Sequence, residues 1–104
     1  MPEDDNKQEG KPKLSDTPRF PLGQTVATCM ALAVLSSLDI AGALYRHQHG
    51  DWGEAGKADR QANERALKHG ERLLSVYKTA DGTKFWIITE WDRSLTTVLL
   101  PEDY

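Results

Sequence analysis

The sequence predicts an α+β domain in which about three N-terminal helices pack on a C-terminal antiparallel meander of three strands. Three observations support this fold class. Apolar residues recur at helical spacing in the middle of the chain, and runs rich in Val, Ile, Thr and aromatic residues fill the last third. Asp81-Gly82 joins two of those runs as a hairpin turn. Helices followed by a run of strands are typical of α+β proteins.

The chain has 104 residues, which is the length of one ordinary domain. Residues 1–18 are polar and acidic, and we expect a disordered tail because they cannot bury enough apolar surface to offset the entropy of ordering. Residues 19–104 then form a single α+β domain. Residues 24–28 are a candidate for one short additional edge strand.

Three helices are expected between that candidate strand and the meander. The third covers residues 57–69, is mostly polar, and should lie on the surface with a narrow apolar side toward the core. The residues expected to face the core there are Ala58, Ala62, Ala66 and Leu67. The helix caps and stops are predicted from polar and glycine residues at the boundaries: Thr28, Ser36 or Ser37, Gly50 and Gly70.

Residues 26–44, VATCMALAVLSSLDIAGAL, form the most apolar stretch. Ser36, Ser37 and Asp39 interrupt it, and a charge near the bilayer centre costs about 2.5–3.5 kcal/mol, so buried helices explain it better than a membrane span. The single cysteine, Cys29, is flanked by apolar residues and is expected to be buried. The polar N-terminus differs from a secretory signal, and the sequence predicts a cytoplasmic protein without a membrane partner.

Acidic side chains outnumber basic ones by 16 to 13, which gives a formal net charge of −3 at pH 7. Nucleic-acid binding draws most of its affinity from Lys and Arg side chains that neutralise phosphates. The charge balance therefore does not favour a nucleic-acid partner, although a local basic patch stays open. The chain contains no local signature of an NTPase, a dinucleotide-binding protein, a serine hydrolase or a zincin, and it implies no cofactor.

The segment RHQHGDWG, residues 46–53, holds two histidines and an aspartate and therefore invites a metal-site interpretation. Zinc-binding histidines on a helix stand four residues apart, whereas His47 and His49 stand two apart and would point to different sides. We therefore expect no metal site. The alternative is a helix end and a tight turn at the two glycines, with Trp52 filling the edge of the core.

A second polar cluster, ITEWDRSLTT, lies at the connection between the last two predicted strands. Its Glu90 and Arg93 could act with a histidine in the acid–base chemistry of a metal-independent ribonuclease. The candidates for that histidine are His47 and His49. The alternative is a plain turn in which Asp92 accepts a backbone hydrogen bond. The sequence does not decide whether the protein is an enzyme.

Several blocks resemble a family of small uncharacterised bacterial proteins associated with plasmids and other mobile elements: FPLG at 20–23, AT at 27–28, RHQ-GDWG at 46–53, NE--LKHG at 63–70 and WIITE-DRS-TT-LLPE-Y at 86–104. The resemblance covers residues 19–104. That family tends to have Pro-Gly in place of Cys29-Met30 and Ala in place of Trp91. The resemblance implies the same fold and a mobile-element context, and it brings no activity or catalytic residue with it.

We therefore expect a small cytoplasmic accessory protein of a mobile genetic element that binds a macromolecular partner, a host or element-encoded protein. The expected surface joins the GDWG turn to the WDRS connection, because Trp and Arg side chains dominate binding energy at interfaces. Its residues are Arg46, His47, Asp51, Trp52, Glu90, Trp91, Asp92 and Arg93. The alternative function is a toxin-like, metal-independent ribonuclease.

Overall fold

A computed structural model describes residues 17–104. In chain order its elements are β1 (Gln24–Ala27), α1 (Cys29–Val34), α2 (Ser37–Gln48), α3 (Lys57–His69), β2 (Leu73–Lys78), β3 (Lys84–Thr89) and β4 (Leu95–Leu99), followed by a 3₁₀ turn at Pro101–Asp103. The predicted disordered tail of residues 1–18 lies outside the described residues, apart from Thr17 and Pro18.

The strands form one four-stranded sheet in the order β1-β4-β3-β2. Strands β2, β3 and β4 form the predicted antiparallel meander, and the candidate edge strand is present as β1. β1 pairs with β4 in parallel, so the sheet has four strands and is mixed, and the predicted three-stranded antiparallel meander is one part of it. The helical crossover after β1 returns the chain to the same end of the sheet, so β2 runs in the direction of β1. Two reversals later, β4 runs in that direction again.

Helices α1 and α2 pack on one face of the sheet, which we call the front face. Because side chains alternate along a strand, every second residue of each strand points to these helices. The main core lies between them and consists of Ala31, Leu35, Ala43, Tyr77, Phe85, Ile87, Val98 and Leu100. A second apolar cluster lies on the β2 side and consists of Phe20, Trp52, Ala55, Ala66 and Leu73.

The predicted helix boundaries are confirmed by hydrogen bonds and backbone angles. Thr28 caps α1, its Oγ1 accepting from the amide of Ala31 at 3.1 Å. Ser36 caps α2 by accepting from the amide of Asp39 at 3.0 Å. Gly70 ends α3 in the left-handed conformation, with φ of 70°. Local sequence signals therefore place all three helices.

The apolar stretch 26–44 is far less buried than expected. Helix α1 has six residues and presents one narrow side to the sheet, so Ala31 is its only buried residue. Cys29, which we expected to be buried, is exposed. Within residues 17–104, no helix is long and apolar enough to cross a membrane. Four large apolar side chains of the stretch are more than half exposed: Met30, Leu32, Val34 and Leu38.

Helix α3 lies along the outer edge of β2 and uses an unexpected residue to contact it. Ala66 is buried and Leu67 half-buried as predicted, but Ala58 is exposed. Asn63, which the polar pattern assigns to the surface, is buried at 2 % exposure. Asn63 is buried because its side-chain amide bonds the backbone of Leu74 at the edge of β2, so the inward side of this helix is not purely apolar.

Candidate functional site

The GDWG turn covers part of the outer edge of β2. Gly53 bridges Val76 in parallel register. The amide of Val76 donates to the carbonyl of Trp52 at 3.2 Å, and its carbonyl accepts from the amide of Glu54 at 2.6 Å. Gly53 has φ of 68°, and a Cβ there would run into the carbonyl of Val76. This position therefore needs glycine both for its backbone angle and for space.

Trp52 fills the edge of the core, as the turn interpretation predicts. Its side chain is 4 % exposed, and its indole Nε1 donates to Glu64 Oε2 at 3.0 Å. Glu64 also pairs with Arg19 at 2.9 Å, and hydrogen bonds from Arg19 and Trp52 hold the pKa of this carboxyl below its usual range. The structure therefore does not place Trp52 on an exposed surface, where an anchor for a partner would have to lie.

His47 lies fully buried on the front face, within a chain of polar side chains. Its Nδ1 lies 2.6 Å from Ser75 Oγ, and its Nε2 lies 2.9 Å from Thr89 Oγ1. Thr89 Oγ1 lies 2.8 Å from Thr96 Oγ1, which donates to the carbonyl of Leu22 at 2.6 Å. The chain, which we call the polar chain, joins α2 to three strands and to the segment before β1.

The carbonyl at one end of the polar chain sets the direction of donation along it. Leu22 O can only accept, so the hydroxyl of Thr96 donates to it and accepts from Thr89. Thr89 has then used its proton and accepts from Nε2 of His47. Because burial lowers the pKa of His47 to about 3, the ring carries no second proton, and its Nδ1 accepts from Ser75. His47 is therefore the neutral Nε2–H tautomer, with both ring nitrogens satisfied.

The surroundings of His47 do not suit acid–base catalysis. Burial lowers its pKa from 6.5 to about 3, and the positive charge of Arg93 acts in the same direction. A general acid or base works best with a pKa near the working pH and within hydrogen-bond reach of its substrate. His47 has no exposed surface and no free ring nitrogen. Its position supports a structural role.

Arg93 is held by backbone carbonyls. It has φ of 61°, the one described non-glycine residue with a positive φ. Its Nη1 donates to the carbonyls of Glu71 at 2.6 Å, Glu90 at 3.1 Å and Trp91 at 3.2 Å. Its Nη2 donates to Ala66 near the end of α3 at 3.1 Å. The guanidinium thus ties the WDRS connection to the C-terminal end of α3.

Phe20 lies between the GDWG turn and the WDRS connection. Its ring centre is 5.2 Å from that of His47 and 6.4 Å from that of Trp52. The guanidinium carbon of Arg93 lies 5.7 Å from the same ring centre. The two segments are therefore close, but a buried aromatic side chain fills the space between them. The surface expected to join them is interrupted at this point.

Arg46 and Asp51 bond each other within the turn. Arg46 Nε donates to Asp51 Oδ2 at 2.8 Å, and Asp51 Oδ1 accepts from the amide of Gly53 at 3.0 Å. Burial acts to raise the pKa of Asp51, but the hydrogen bonds from Arg46 and Gly53 outweigh it and lower that pKa. The guanidinium of Arg46 also lies 4.7 Å above the ring of Tyr77. The side chains of Arg46 and Asp51 thus stabilise the C-terminal end of α2 and the turn that follows it.

The WDRS connection forms the predicted turn at its polar end. Asp92 Oδ1 accepts from the amide of Ser94 at 3.1 Å and from its hydroxyl at 2.6 Å. Glu90 Oε1 lies 3.8 Å from Arg72 Nε. Trp91 is 65 % exposed. Of the predicted surface residues in this connection, Trp91 is the one that offers a large apolar side chain to solvent.

His49 lies apart from His47 and points elsewhere. Its Nδ1 lies 2.7 Å from the carbonyl of Tyr45, on whose ring it stacks at 4.0 Å. Its buried Nε2 has no hydrogen-bond partner among residues 17–104. In the same part of the chain, no three His, Cys, Asp or Glu side chains are grouped to hold a metal ion.

An open pocket of about 230 Å³ lies on the back face of the sheet, opposite α1 and α2. The rings of Trp86 and Tyr104 meet edge to face there, with centres 5.6 Å apart. Arg72 Nη1 donates to the hydroxyl of Tyr104 at 3.0 Å, and the guanidinium lies over the tyrosine ring. We call this the back-face pocket. Its lining residues are Arg72, Leu74, Trp86, Ile88 and Tyr104.

Sequence reasoning missed both the polar chain and the back-face pocket. The signal for the chain is a hydroxyl residue in the buried phase of each meander strand: Ser75, Thr89 and Thr96. The signal for the pocket is the second apolar face of β3, where Trp86 and Ile88 lie beside Glu90. Helices were expected on one face of this strand, so its other face needed a further partner.

We found no match to this chain among protein-family models, curated proteins or solved structures. Its function must therefore be inferred from its own residues.

Proposed function

We propose that this protein is a binding module that engages a protein partner through the back-face pocket, and not an enzyme. One observation carries the proposal: Trp86, Tyr104 and Arg72 line an open apolar pocket on a sheet face away from the helices. Trp, Tyr and Arg are the residue types that supply most of the binding energy at protein interfaces. The hydrogen bond and ring contact of Arg72 hold it in place before a partner arrives.

The size of the pocket favours a protein side chain over a free small molecule. Ligand sites typically enclose about 300–1,000 Å³ and bury most of the ligand surface. The back-face pocket has about 230 Å³. That volume suits one large apolar side chain at the centre of an interface, surrounded by polar contacts. Arg72 and Glu90 supply such a polar rim.

The local charges favour protein over nucleic acid. Aromatic side chains on a sheet can stack bases, but such sites combine stacking with cations that neutralise phosphates. Here Arg72 already faces Glu90 and the Tyr104 hydroxyl. Glu102 and Asp103 add carboxylates in the turn before Tyr104, and the chain as a whole carries −3. A phosphate backbone would meet more negative than positive groups.

The contacts of the candidate catalytic residues support binding over ribonuclease activity. His47 is closed off by the polar chain, and Arg93 donates to four carbonyls instead of facing an open cleft. Glu90 faces Arg72 on the back face. A phosphate could not reach all three groups from one position without unfolding part of the core.

The proposed setting is the cytoplasm, with the partner a host protein or another protein encoded by the same mobile genetic element. The support comes from the sequence blocks at 20–23, 46–53 and 86–104 that resemble mobile-element proteins, and from the polar, acidic composition. Trp91, where that family tends to have Ala, adds an exposed aromatic side chain directly after Glu90. It is a candidate for partner specificity in this chain.

A photo-crosslinking amino acid at Thr97, which pairs with Ile88 across the back face, tests the proposal in cell extract. Thr97 also pairs with Val26 in β1, so an adduct of the chain with itself does not count toward the proposal. We expect a discrete adduct with a different protein from position 97 and none from the matched position Gln61, which is exposed on α3. With the captured protein purified, Tyr104→Ala should weaken binding at least tenfold, whereas Tyr45→Ala, on α2, should leave it unchanged.

Three outcomes would overturn the proposal. One is an RNA adduct at position 97 in place of a protein adduct. Another is equal loss of affinity in the two tyrosine variants, which would place the contact elsewhere. The third is cleavage of RNA in EDTA by the wild type but not by Glu90→Gln, which would establish the ribonuclease alternative.

A further inference from the structure

The outer edge of β1 presents unpaired backbone groups. The amide of Gln24 donates to the carbonyl of Ser94, just before β4, at 2.9 Å, and that of Thr28 donates to Val98 in β4 at 3.0 Å, so this phase of the strand faces the sheet. Backbone groups alternate in direction along a strand, so the N–H and C=O of Thr25 and Ala27 point away from β4. They have no backbone partner within the described part of the chain.

We propose that β1 pairs with β1 of a second copy of this chain, antiparallel and about a two-fold axis beside Val26. Thr25 of each copy then exchanges both backbone hydrogen bonds with Ala27 of the other, as in any hydrogen-bonded antiparallel pair. The same short edge serves both copies, which is the self-complementarity that a two-fold interface requires. The sheet becomes continuous through the dimer.

The charge distribution favours a second copy at this edge. Residues 20–38 contain no Asp, Glu, Lys, Arg or His. Two copies of a chain with a net charge of −3 repel each other over most approaches, but β1 itself brings no charged side chain to this edge. The carboxylate that contacts the end of the strand, Asp103, accepts a hydrogen bond from Thr28 Oγ1. The pairing also sets Val26, which is 37 % exposed, against Val26 of the partner copy. An apolar contact thus forms on the axis.

The composition of β1 is unusual for an edge that stays free. Proteins protect free strand edges by keeping them very short, with Lys or Pro, with bulges, or with a covering segment. The strand QTVA is short, with four residues, but it has no Lys, Pro or bulge, and no described backbone group bonds the outward groups of Thr25 and Ala27. Helix α1 follows immediately and exposes Met30 and Leu32. The dimer edge and the back-face pocket are separate, because β4 lies between β1 and β3.

Disulfide trapping tests the register directly. In a Cys29→Ser background, Val26→Cys places two thiols in a non-hydrogen-bonded pair with Cα atoms about 4.5 Å apart, a separation that a disulfide spans. We expect mild oxidation to convert most of the chain to a covalent dimer. Gln61→Cys, at an exposed position of α3, should stay monomeric. Equal crosslinking of the two variants would overturn the proposed axis.

A proline pair separates association from folding. Thr25→Pro removes an outward N–H and spares the bonds to β4, whereas Val26→Pro removes an N–H that faces β4. By analytical ultracentrifugation we expect Thr25→Pro to dimerise at least tenfold more weakly, with a melting temperature close to that of the wild-type monomer. Val26→Pro should melt well below it. A wild type that is monomeric up to millimolar concentration, or a Thr25→Pro variant that associates normally, would overturn the proposal.

Discussion

At the β2 edge of the sheet, side chains and a neighbouring segment meet the outward backbone groups. The Asn63 side chain accepts from the amide of Leu74 at 3.0 Å and donates to its carbonyl at 2.7 Å, and the turn at Gly53 bonds Val76. At the β1 edge, the outward groups of Thr25 meet no described backbone. The same sheet is thus closed on one side and left with unused hydrogen-bonding capacity on the other.

This difference explains where the motif-rich parts of the sequence are used. The GDWG turn and the WDRS connection hold chemistry-bearing residues, but Gly53 bonds the β2 edge, and Trp52 and Arg93 hold their segments against α3. The plain segment QTVA, with no motif, carries the open edge. Covering the β2 edge matters because an uncovered strand can pair with other chains. In this protein, the motif-rich segments therefore serve the fold and need not mark a functional site.

The largest expected effect comes from Gly53→Ala, which forces the covering turn away from β2. Its cost combines overpacking against the Val76 carbonyl, about 1–3 kcal/mol, with a left-handed alanine, about 1–2 kcal/mol. We expect about 3 kcal/mol or more by urea unfolding. Gly70→Ala is the matched control, since its φ of 70° is nearly the same and a Cβ there meets nothing. Equal losses in both variants would show that the β2 cover contributes nothing beyond the backbone angle.

A smaller effect is expected from Asn63→Ala, which leaves the edge backbone of Leu74 without protein partners. Each buried polar group left unsatisfied costs about 1–3 kcal/mol, and water reaching the edge recovers part of this. We expect a loss of about 2 kcal/mol, together with faster amide hydrogen exchange at Leu74. Gln61→Ala, on the exposed side of the same helix, controls for helix propensity. Unchanged exchange at Leu74 would contradict the assigned contact.

The pH dependence of stability probes the polar chain that links the two sides. Well above pH 6.5, His47 is neutral in both the folded and the unfolded chain. As the pH falls from 6.5 toward about 3, His47 binds a proton in the unfolded chain but not in the folded chain, so the free energy of unfolding progressively decreases. We expect a loss of about 2 kcal/mol between pH 6.5 and about 4.5 from this residue. His47→Gln should flatten the profile over this range, and His69→Gln, at an exposed position, should not. An unchanged profile in His47→Gln would contradict the closed environment of His47.

The helices could be predicted because their boundaries depend on neighbours in sequence. The hydroxyls of Thr28 and Ser36 each accept from the amide three positions later, and Gly70 takes the left-handed angle at which the chain leaves α3. The direction of β1 could not be predicted in this way. It depends on which strand the segment joins about seventy residues later, and a strand of four residues carries no mark of its partner.

The candidate site shows the same limit. Reactive residue types led to His47 and Arg93 as candidates, but their partners come from distant segments that fix them in place. The hydroxyl residues in the buried phase of the strands are visible in the sequence, whereas the pairing that aligns Thr89 with Thr96 needs the register. Tyr104 was missed because its role depends on the chain folding back over Trp86.

The carbonyl of Leu22 has a consequence beyond the bond it accepts. A row of hydroxyls closed at neither end has two equivalent proton orderings, and it can switch between them. Here the acceptor at the start of the row removes one ordering, so the core keeps a single arrangement of protons from Leu22 to Ser75. The carbonyl of Leu22, in the segment before β1, thereby determines which nitrogen of His47 on α2 carries the proton. A rotation of one threonine hydroxyl would require every other hydrogen bond of the row to change direction.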